Sequence, residues 1–183
     1  MNTKIFFTGL SLLLTTFIVV SCSEDPTEPT EENTVLYTSF ESNGRFSTDG
    51  WTLPQLSDSS NDVPSGGGNF SLVLEATEPP EVYAQITVPV KTQYNNFKLT
   101  FWSKSTAVTN NVYGKAILSL VRNGSVIQSS SVTVDDIIWK SYSIQDTFSV
   151  ASGDSFLVQL SAGFSQLFAG KTYFDLCTLY GVE

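Results

Sequence analysis

Alternation of apolar and polar residues runs through the chain from Thr34 to Glu183. Phe97, Leu99 and Phe101 alternate with polar neighbours in one segment, and the same two-residue period recurs in residues 70–75, 84–88 and 156–161. Successive side chains of a strand point to opposite faces of a sheet, so a period of two is typical of strands with one covered face. The pattern predicts antiparallel strands and no helix.

Turn residues separate these segments at short intervals. The sharpest turn signal is Asn123-Gly124, between Val121-Arg122 and Ser125-Val126, because an Asn-Gly pair adopts the positive φ angles of a two-residue hairpin turn. About ten short strands fit in residues 34–183, which is the length of one domain. The sequence therefore predicts a single all-β domain, an antiparallel β-sandwich of the jelly-roll kind.

The N-terminal segment has a different pattern. Residues 5–20 form an apolar run of 16 residues after Lys4, whereas a membrane-spanning helix needs about 20. A basic start, a short apolar run and a small residue at its end are typical of a secretory signal. The run closes with Val19-Val20-Ser21-Cys22, which resembles the lipobox of bacterial lipoprotein precursors. The resemblance implies a signal peptide over residues 1–21 and a lipid anchor on Cys22. A plain secretory signal or an uncleaved membrane anchor is the alternative.

The residues that follow Cys22 are strongly acidic. Residues 23–33 contain five acids, two prolines, no base and no hydrophobic side chain. Such a segment cannot bury enough apolar surface to offset the cost of ordering, so residues 22–33 are predicted to be a disordered tether. An acidic stretch behind a lipidated cysteine also resembles the export signal of surface-exposed Gram-negative lipoproteins, which implies an outer-membrane, cell-surface location. Alternatively, the acids only keep the tether extended and prevent retention at the inner membrane.

Charge and composition exclude several functions. The whole chain has a net charge of −9, and residues 34–183 carry 13 acids and 8 bases. This excess argues against nucleic acid or an anionic bilayer as the ligand of the domain, so that membrane contact is expected through the lipid anchor alone. The chain has no histidine, which excludes Ser-His-Asp and Cys-His catalysis and the usual zinc sites. Lipidation of Cys22 leaves Cys177 without a disulfide partner, and Cys177 is predicted to be a buried small hydrophobe.

Catalysis by paired carboxylates is also disfavoured. Glycosidases need two carboxylates about 5–10 Å apart, but adjacent Asp135 and Asp136 would point to opposite faces of a strand and are better interpreted as a turn. A polysaccharide lyase would need histidine, arginine or tyrosine at the scissile bond, and the arginines are only Arg45 and Arg122. The chain is therefore predicted not to be an enzyme.

Several short motifs occur in a characteristic order. They are Ser39-Phe40-Glu41, Gly50-Trp51, residues 68–72, Tyr83-Ala84-Gln85, residues 97–104, residues 139–142 and Tyr173-Phe174-Asp175. This set resembles the galactose-binding-like jelly rolls, above all the carbohydrate-binding modules that flank secreted glycoside hydrolases. The resemblance implies non-catalytic binding of a glycan or polysaccharide. Adhesin modules share the layout, so an adhesin-like or envelope-assembly module that binds other envelope proteins and has no sugar site is the alternative.

The resemblance also implies a structural calcium ion. In that superfamily calcium often joins the first strand to the last through a glutamate and an aspartate, and Glu41 and Asp175 occupy the matching positions. Two carboxylates with backbone carbonyls are a suitable oxygen set for calcium. In the alternative interpretation, Asp175 accepts only backbone hydrogen bonds and Glu41 is solvated.

Glycan-binding residues are expected on the polar strand faces. Proteins bind sugars by stacking an aromatic ring on a CH face and holding the hydroxyls with amide or charged groups. The candidate glycan-binding residues are Tyr83, Gln85, Lys98, Trp102, Lys104 and Gln159, with Gln85 and Trp102 first among them. Alternatively, a loop covers Trp102, or Tyr83 packs against it as a cross-strand pair. Trp51 and Trp139 are expected in the core or in loop packing.

Overall fold

The structure is a computed structural model, and it describes residues 29–76, 81, 83–106, 113–165 and 168–183, without the side chains of residues 164–169. Cys22, the predicted signal peptide and most of the predicted tether lie outside the described residues. In the described part of the chain, no helix is long and apolar enough to cross a membrane.

Thirteen strands occur in the described residues. They are β1 (Thr34–Thr38), β2 (Glu41–Ser42), β3 (Arg45–Phe46), β4 (Ser57–Ser60), β5 (Ser71–Ala76), β6 (Ala84–Pro89), β7 (Asn96–Ser105), β8 (Gly114–Arg122), β9 (Ser125–Val134), β10 (Lys140–Thr147), β11 (Ser155–Ser161), β12 (Phe164–Ser165) and β13 (Phe168–Val182).

The strands form two main sheets. The larger sheet has the order β10-β7-β13-β5-β4, with β1 and β12 also paired to β13, and the smaller sheet has the order β6-β11-β8-β9. The short strands β2 and β3 pair with each other. All pairings are antiparallel, and the chain passes from one sheet to the other between β5, β6, β7 and β8. The predicted antiparallel β-sandwich is therefore confirmed.

The core lies between the two sheets and consists of the apolar residues that the alternation predicts. Phe97, Leu99 and Phe101 of β7 are fully buried, as are the alternate residues of β11. The rings of Phe97 and Phe156 meet across the sandwich with centroids 4.7 Å apart. Burying one such side chain stabilises the fold by about 1.5–3 kcal/mol. The intervening polar residues of both strands consequently face outward.

Two local predictions are also confirmed. Asn123 and Gly124 have φ angles of 51° and 77°, and they connect Arg122 to its register partner Ser125 at the end of the β8–β9 hairpin. Cys177 is fully buried, as predicted for a small hydrophobic residue. Burial raises the pKa of its thiol, so Cys177 is an unreactive core residue.

The folded domain begins earlier than the predicted boundary at Thr34. The backbone N–H of Thr34 donates to the Thr30 carbonyl at 2.9 Å, and Gly181 N–H donates to the Asn33 carbonyl at 2.9 Å. Lys91 Nζ donates to the carbonyl of Glu32 at 2.6 Å. These contacts use backbone carbonyls, so the acidic composition of the segment gives no sign of them. Residues 30–33 therefore belong to the sandwich and not to the tether.

Candidate functional site

The six predicted glycan-binding residues divide between two surfaces. Lys98, Trp102 and Lys104 alternate with buried residues along β7 of the larger sheet. Gln85 lies on β6 and Gln159 on β11, both in the smaller sheet, and Tyr83 directly precedes β6. Because the core fills the space between the sheets, their outer faces point in opposite directions. The six candidate residues therefore lie on two separate faces and do not line one groove. Tyr83 is not a cross-strand partner of Trp102.

A row of uncharged side chains crosses the outer face of the smaller sheet. Gln85 and Gln159 are register partners, and Gln159 Nε2 donates to Gln85 Oε1 at 3.2 Å. Backbone pairing extends the row on both sides. The glutamine row consists of Thr52, Gln85, Gln159, Ile117 and Ser131. Thr52 and Ser131 were absent from the predicted set, because residue type alone does not show which strands become neighbours.

A hydrogen-bonded cluster around Glu81 lies beside the glutamine row. Tyr83 Oη donates to Glu81 Oε2 at 2.7 Å, and Ser161 Oγ donates to Glu81 Oε1 at 2.5 Å. Lys115 Nζ lies 3.9 Å from the same carboxylate. Burial, together with the hydrogen bond to Glu81, raises the pKa of Tyr83 to about 12. Tyr83 is therefore a neutral phenol whose hydroxyl is held in place, two residues from Gln85.

The outer face of the larger sheet carries a lysine enclosed by two aromatic rings. Lys104 forms an ion pair with Asp62, and its Nζ lies 4.9 Å from the Tyr173 ring centroid and 5.4 Å from that of Trp139. Trp139 Nε1 donates to Asp62 Oδ1 at 2.9 Å. The hydrogen bond from Lys104 holds the pKa of Asp62 below its usual range. The side chain of Lys104 is only 16% exposed, so its charge is already paired.

The tryptophans occupy three different environments. Trp51 is buried in the core, with its ring centroid 5.4 Å from that of Phe40, which confirms one of the two expected placements. Trp139 packs against Lys104, as expected for loop packing. Lys104, Asp62, Trp139 and Tyr173 together form the Lys104 cluster. Trp102 is half-buried on β7, next to its register partners Ser141 and Asp175. Its role in glycan binding stays a prediction, as does that of Lys98.

Glu41 and Asp175 have contrasting environments. The Glu41 carboxylate accepts hydrogen bonds from the backbone N–H and from Nδ2 of Asn69, which lower the pKa of Glu41. Asp175 is fully buried, and its Oδ1 accepts a hydrogen bond from Leu176 N–H at 2.8 Å. Asp175 Oδ2 is buried and has no hydrogen-bond partner among the described residues. Burial, together with the nearby negative charge of Glu41, raises the pKa of Asp175 to about 6.

The backbone around these two carboxylates is unusual. Phe40, before Glu41, and Leu176, after Asp175, both have a φ of 51°, although neither residue is glycine. A non-glycine residue in this region is uncommon, and such strain clusters at functional sites. The pairing of β13 with β7 also shifts register just after Asp175, as expected of a bulge that redirects a side chain.

A hard cation fits the chemistry of this place. An unpaired buried carboxylate oxygen is costly, and a cation beside Asp175 Oδ2 would satisfy it. Calcium takes six to eight oxygen ligands and accepts backbone carbonyls and water along with carboxylates. Among the described residues, no three acidic, histidine or cysteine side chains are grouped so that they could hold a metal ion together. Glu41 and Asp175 would therefore supply the carboxylates, and the other ligands would be carbonyls or water.

Comparisons with known proteins establish the fold. No protein-family model matches the chain, and no curated protein matches it. A CBM22-1 xylan-binding domain from Paenibacillus barcinonensis Xyn10C superimposes with a TM-score of 0.53 and 20% identity, over 82% of this chain and 96% of that domain. A family 16 carbohydrate-binding module gives a TM-score of 0.52 and 19% identity, over 72% of this chain and 90% of the module.

Two enzymes contain a similar domain. The enzymatically active domain of tailspike protein 4 of bacteriophage CBA120 gives a TM-score of 0.56 and 18% identity, over 74% of this chain. A GH51 α-L-arabinofuranosidase with bound arabinose gives a TM-score of 0.53 and 13% identity, over 82% of this chain. The matches cover only 20% and 27% of these two enzyme chains. The likeness to all four structures is one of fold: the chain has the β-sandwich fold found in carbohydrate-binding modules.

Proposed function

We propose that the chain binds a polysaccharide, without cleaving it, along the outer face of the smaller sheet. The observation that carries this proposal is the Gln85–Gln159 pair at the centre of the glutamine row. The hydrogen bond between the two amides leaves the Gln85 amide group as a donor and the Gln159 carbonyl oxygen as an acceptor. Neighbouring hydroxyls of a sugar need such a donor and acceptor side by side.

Tyr83 adds an aromatic ring to this surface. Its hydroxyl is fixed by Glu81, which leaves the ring less conformational freedom to lose when a sugar stacks on it. The glutamine row itself carries no charge, which suits a neutral glycan. An open sheet face extends over several strands, so it accepts a chain of sugars in preference to a single ring.

The opposite face is the weaker candidate, although it includes Trp102 and Lys98. The charge of Lys104 is paired with Asp62, and the rings of Trp139 and Tyr173 are already in contact with the Lys104 ammonium group. Because these groups already interact with one another, fewer of their hydrogen-bonding and stacking positions are available to a ligand. Trp102 and Lys98 on this face form a second surface to be tested.

We infer that the binding is not coupled to catalysis. The chain has no histidine, and hydrolysis by carboxylates requires two of them around the scissile bond. Glu81, at the edge of the proposed surface, is engaged by Tyr83 and Ser161. A carboxylate held by other side chains supports positioning of Tyr83 and not proton transfer.

A structural calcium ion and a lipid anchor complete the proposal. Calcium would be held by Glu41 and Asp175, where the unpaired oxygen of Asp175 supports a cation. The sequence Val19-Val20-Ser21-Cys22 and the acidic residues behind it support lipidation of Cys22 and display at the outer membrane. The sandwich would then hold polysaccharide near the cell for other envelope proteins, with the lipid as its contact with the membrane.

The test is binding of the full chain to a panel of soluble neutral polysaccharides, including xylan, galactan, mannan and mixed-linkage glucan, measured by affinity electrophoresis and calorimetry. Gln85→Ala and Gln159→Ala should each weaken binding about threefold to tenfold, because each removes a hydrogen bond of about 0.5–1.5 kcal/mol. The matched control is Gln145→Ala, an exposed glutamine on the larger sheet, which should bind like wild type.

Two results would contradict the proposal. Binding that survives both substitutions would remove the glutamine row as the site. No binding to any polysaccharide of the panel would leave the alternative, a module that binds protein.

A further inference from the structure

One edge of the smaller sheet is free to accept another strand. β9 (Ser125–Val134) is the last strand of the order β6-β11-β8-β9, and it pairs with β8 on one side. On its other side, its backbone makes no hydrogen bond with any residue that the structure describes. Such an edge presents a row of N–H and C=O groups, which is a template for pairing with a further strand.

The edge strands β1, β4, β6 and β10 each carry a feature that opposes such pairing. β1 and β4 have only five and four residues, and β10 carries the charged residues Lys140 and Asp146. The free side of β6 is bridged by Thr52, and the strand ends with Pro89. Short length, charge, coverage and proline are the usual protections of an edge. β9 has none of them, because it is a strand of ten residues with no charge and no proline.

The conformation of β9 is already suited to pairing. Its register with β8 shifts once near the hairpin turn and is then regular from Gln128 to Val134. Gln128 Nε2 donates to the Thr147 carbonyl at 2.8 Å, and Ser130 Oγ donates to Asp146. These bonds connect β9 to β10 of the other sheet and hold the edge in place. Pairing with another strand therefore costs β9 little conformational entropy.

The sequence of β9 is complementary to itself. Residues 126–134 are Val-Ile-Gln-Ser-Ser-Ser-Val-Thr-Val, which is nearly symmetric about Ser130. When two such strands run antiparallel with Ser130 at the centre, Ser129 of one strand lies opposite Ser131 of the other, and the β-branched residues near the two ends lie opposite each other. Serine and threonine pairs and β-branched pairs stabilise antiparallel strands. The strand that fits β9 is therefore a second β9.

Charge also favours this edge for contact between two copies. The chain has a net charge of −9, so two copies repel each other over most of their surface. Pairing along β9 places no like charges directly opposite each other, because the strand carries no charged side chain. The nearby carboxylate of Asp146 already accepts the hydrogen bond from Ser130.

We propose that β9 pairs antiparallel with β9 of a second copy of this chain, about a two-fold axis near Ser130. The pairing joins the four strands of each smaller sheet into one continuous sheet. A two-fold axis normal to the sheet keeps both outer faces on the same side. The dimer therefore presents two glutamine rows on one surface. That consequence rests on the proposed function, whereas the pairing of the strands does not.

The test is native mass spectrometry of the full chain, released from detergent micelles, which counts the chains in each complex. Wild type should form dimers whose share rises with concentration. Ser129→Lys combined with Ser131→Lys should weaken the dimer about tenfold, because like charges then lie opposite each other. The matched control is Thr87→Lys, at an exposed position of β6 on the other edge of the same sheet, which should form dimers like wild type.

A charge exchange tests the contact between the two strands directly. Ser129→Glu combined with Ser131→Glu should also form few dimers. An equal mixture of the lysine and glutamate variants should form mixed dimers, which their mass identifies, because opposite charges then face each other. Dimers that persist in both double variants, or double variants that do not pair when they are mixed, would overturn the proposal.

A measurement on wild type does not depend on any substitution. In hydrogen exchange of the full chain, the amides of residues 128–134 should exchange more slowly at high protein concentration than after dilution, whereas the amides of β6 should be unchanged. Equal exchange of residues 128–134 at both concentrations, or a single chain at every concentration in the mass spectra, would overturn the pairing. None of these measurements involves a polysaccharide, so the pairing and the proposed function fail separately.

Discussion

Glu41 belongs to β2 and Asp175 to β13, and both carboxylates lie against the backbone of the loop that contains Gly67 and Gly68. A methyl group added to Gly67 would lie 2.5 Å from Asp175 Oδ2, and one added to Gly68 would overlap Glu41. The loop can approach this closely because neither residue has a side chain. Two carboxylates from distant parts of the chain thus lie against the same loop, and burial, together with the charge of Glu41, raises the pKa of Asp175.

Calcium should stabilise the protein through these two residues. A ligand at a hundred times its Kd adds about 2.7 kcal/mol to the free energy of unfolding, which for a domain of this size is a rise of roughly 5–10 °C in Tm. Thermal melts of the full chain with excess calcium and with chelator should show this difference. Asp175→Asn and Glu41→Gln should each reduce it, because each removes one charged ligand.

The calcium experiment has a matched control in Asp58→Asn, which removes an exposed carboxylate of the larger sheet. This variant should keep the full calcium response. Equal melting temperatures with calcium and with chelator, in wild type and variants alike, would show that no calcium binds at Glu41 and Asp175.

Without calcium, Asp175 should make stability depend on pH. Its pKa is about 6 in the folded protein, against a reference value of 3.8, so between these values the folded state holds a proton that the unfolded state has lost. The free energy of unfolding should therefore fall as pH rises from 4 to 6, by about 2–3 kcal/mol, and then level off.

The pH effect is measured as a difference between wild type and Asp175→Asn in urea titrations with chelator present. Other carboxylates contribute to both proteins and largely cancel, including Glu41, whose lowered pKa acts in the opposite direction. A difference that stays constant from pH 4 to pH 7 would contradict the raised pKa. Saturating calcium should remove the dependence, because the cation stabilises the ionised carboxylate.

The sandwich could be predicted from the sequence because strands and turns are indicated by residues that are close together in the chain. Alternation in β7 and β11 reports which residues of each strand are buried, and the Asn123–Gly124 turn acts over four residues. The side of the sandwich to which each polar face belongs is not local information. Gln85 and Trp102 have equivalent alternation in the sequence, but they lie on different sheets because successive strands cross between sheets.

The Lys104 cluster shows the same limit for side-chain partners. Asp62 meets Trp139 and Lys104 only after β7, β10 and the connection before β5 are assembled. Trp51 was expected in the core or in loop packing from its neighbours, but its unpaired N–H depends on tertiary packing. The candidate calcium residues were identified through resemblance of motifs, since no spacing in the sequence connects Glu41 with Asp175.

Lys104→Met should distinguish stability on the larger sheet from binding on the smaller one. The substitution removes the ion pair with Asp62 and the cation contacts with Tyr173 and Trp139, while it keeps an apolar stem of similar length. We expect a loss of about 1 kcal/mol, or a fall of roughly 2–4 °C in Tm. Polysaccharide binding should be unchanged, because the glutamine row lies on the opposite side. Loss of binding in Lys104→Met, with binding intact in Gln85→Ala, would move the glycan site to the face of Trp102.

Cys22 should carry the lipid that determines where the sandwich acts. Cells that express the full chain and are fed an alkyne-labelled palmitate should incorporate the label into the wild-type protein, and Cys22→Ala should abolish incorporation. Cys177→Ala is the matched control, because Cys177 is fully buried and should not affect labelling.

Two or more acyl chains hold a protein on a bilayer stably, whereas the acidic segment behind Cys22 offers no attraction to anionic lipid. Wild type should therefore fractionate with membranes, and Cys22→Ala should be released from them. Labelling that persists in Cys22→Ala would show that the lipobox resemblance is misleading, and membrane association without label would favour an uncleaved anchor over residues 5–20.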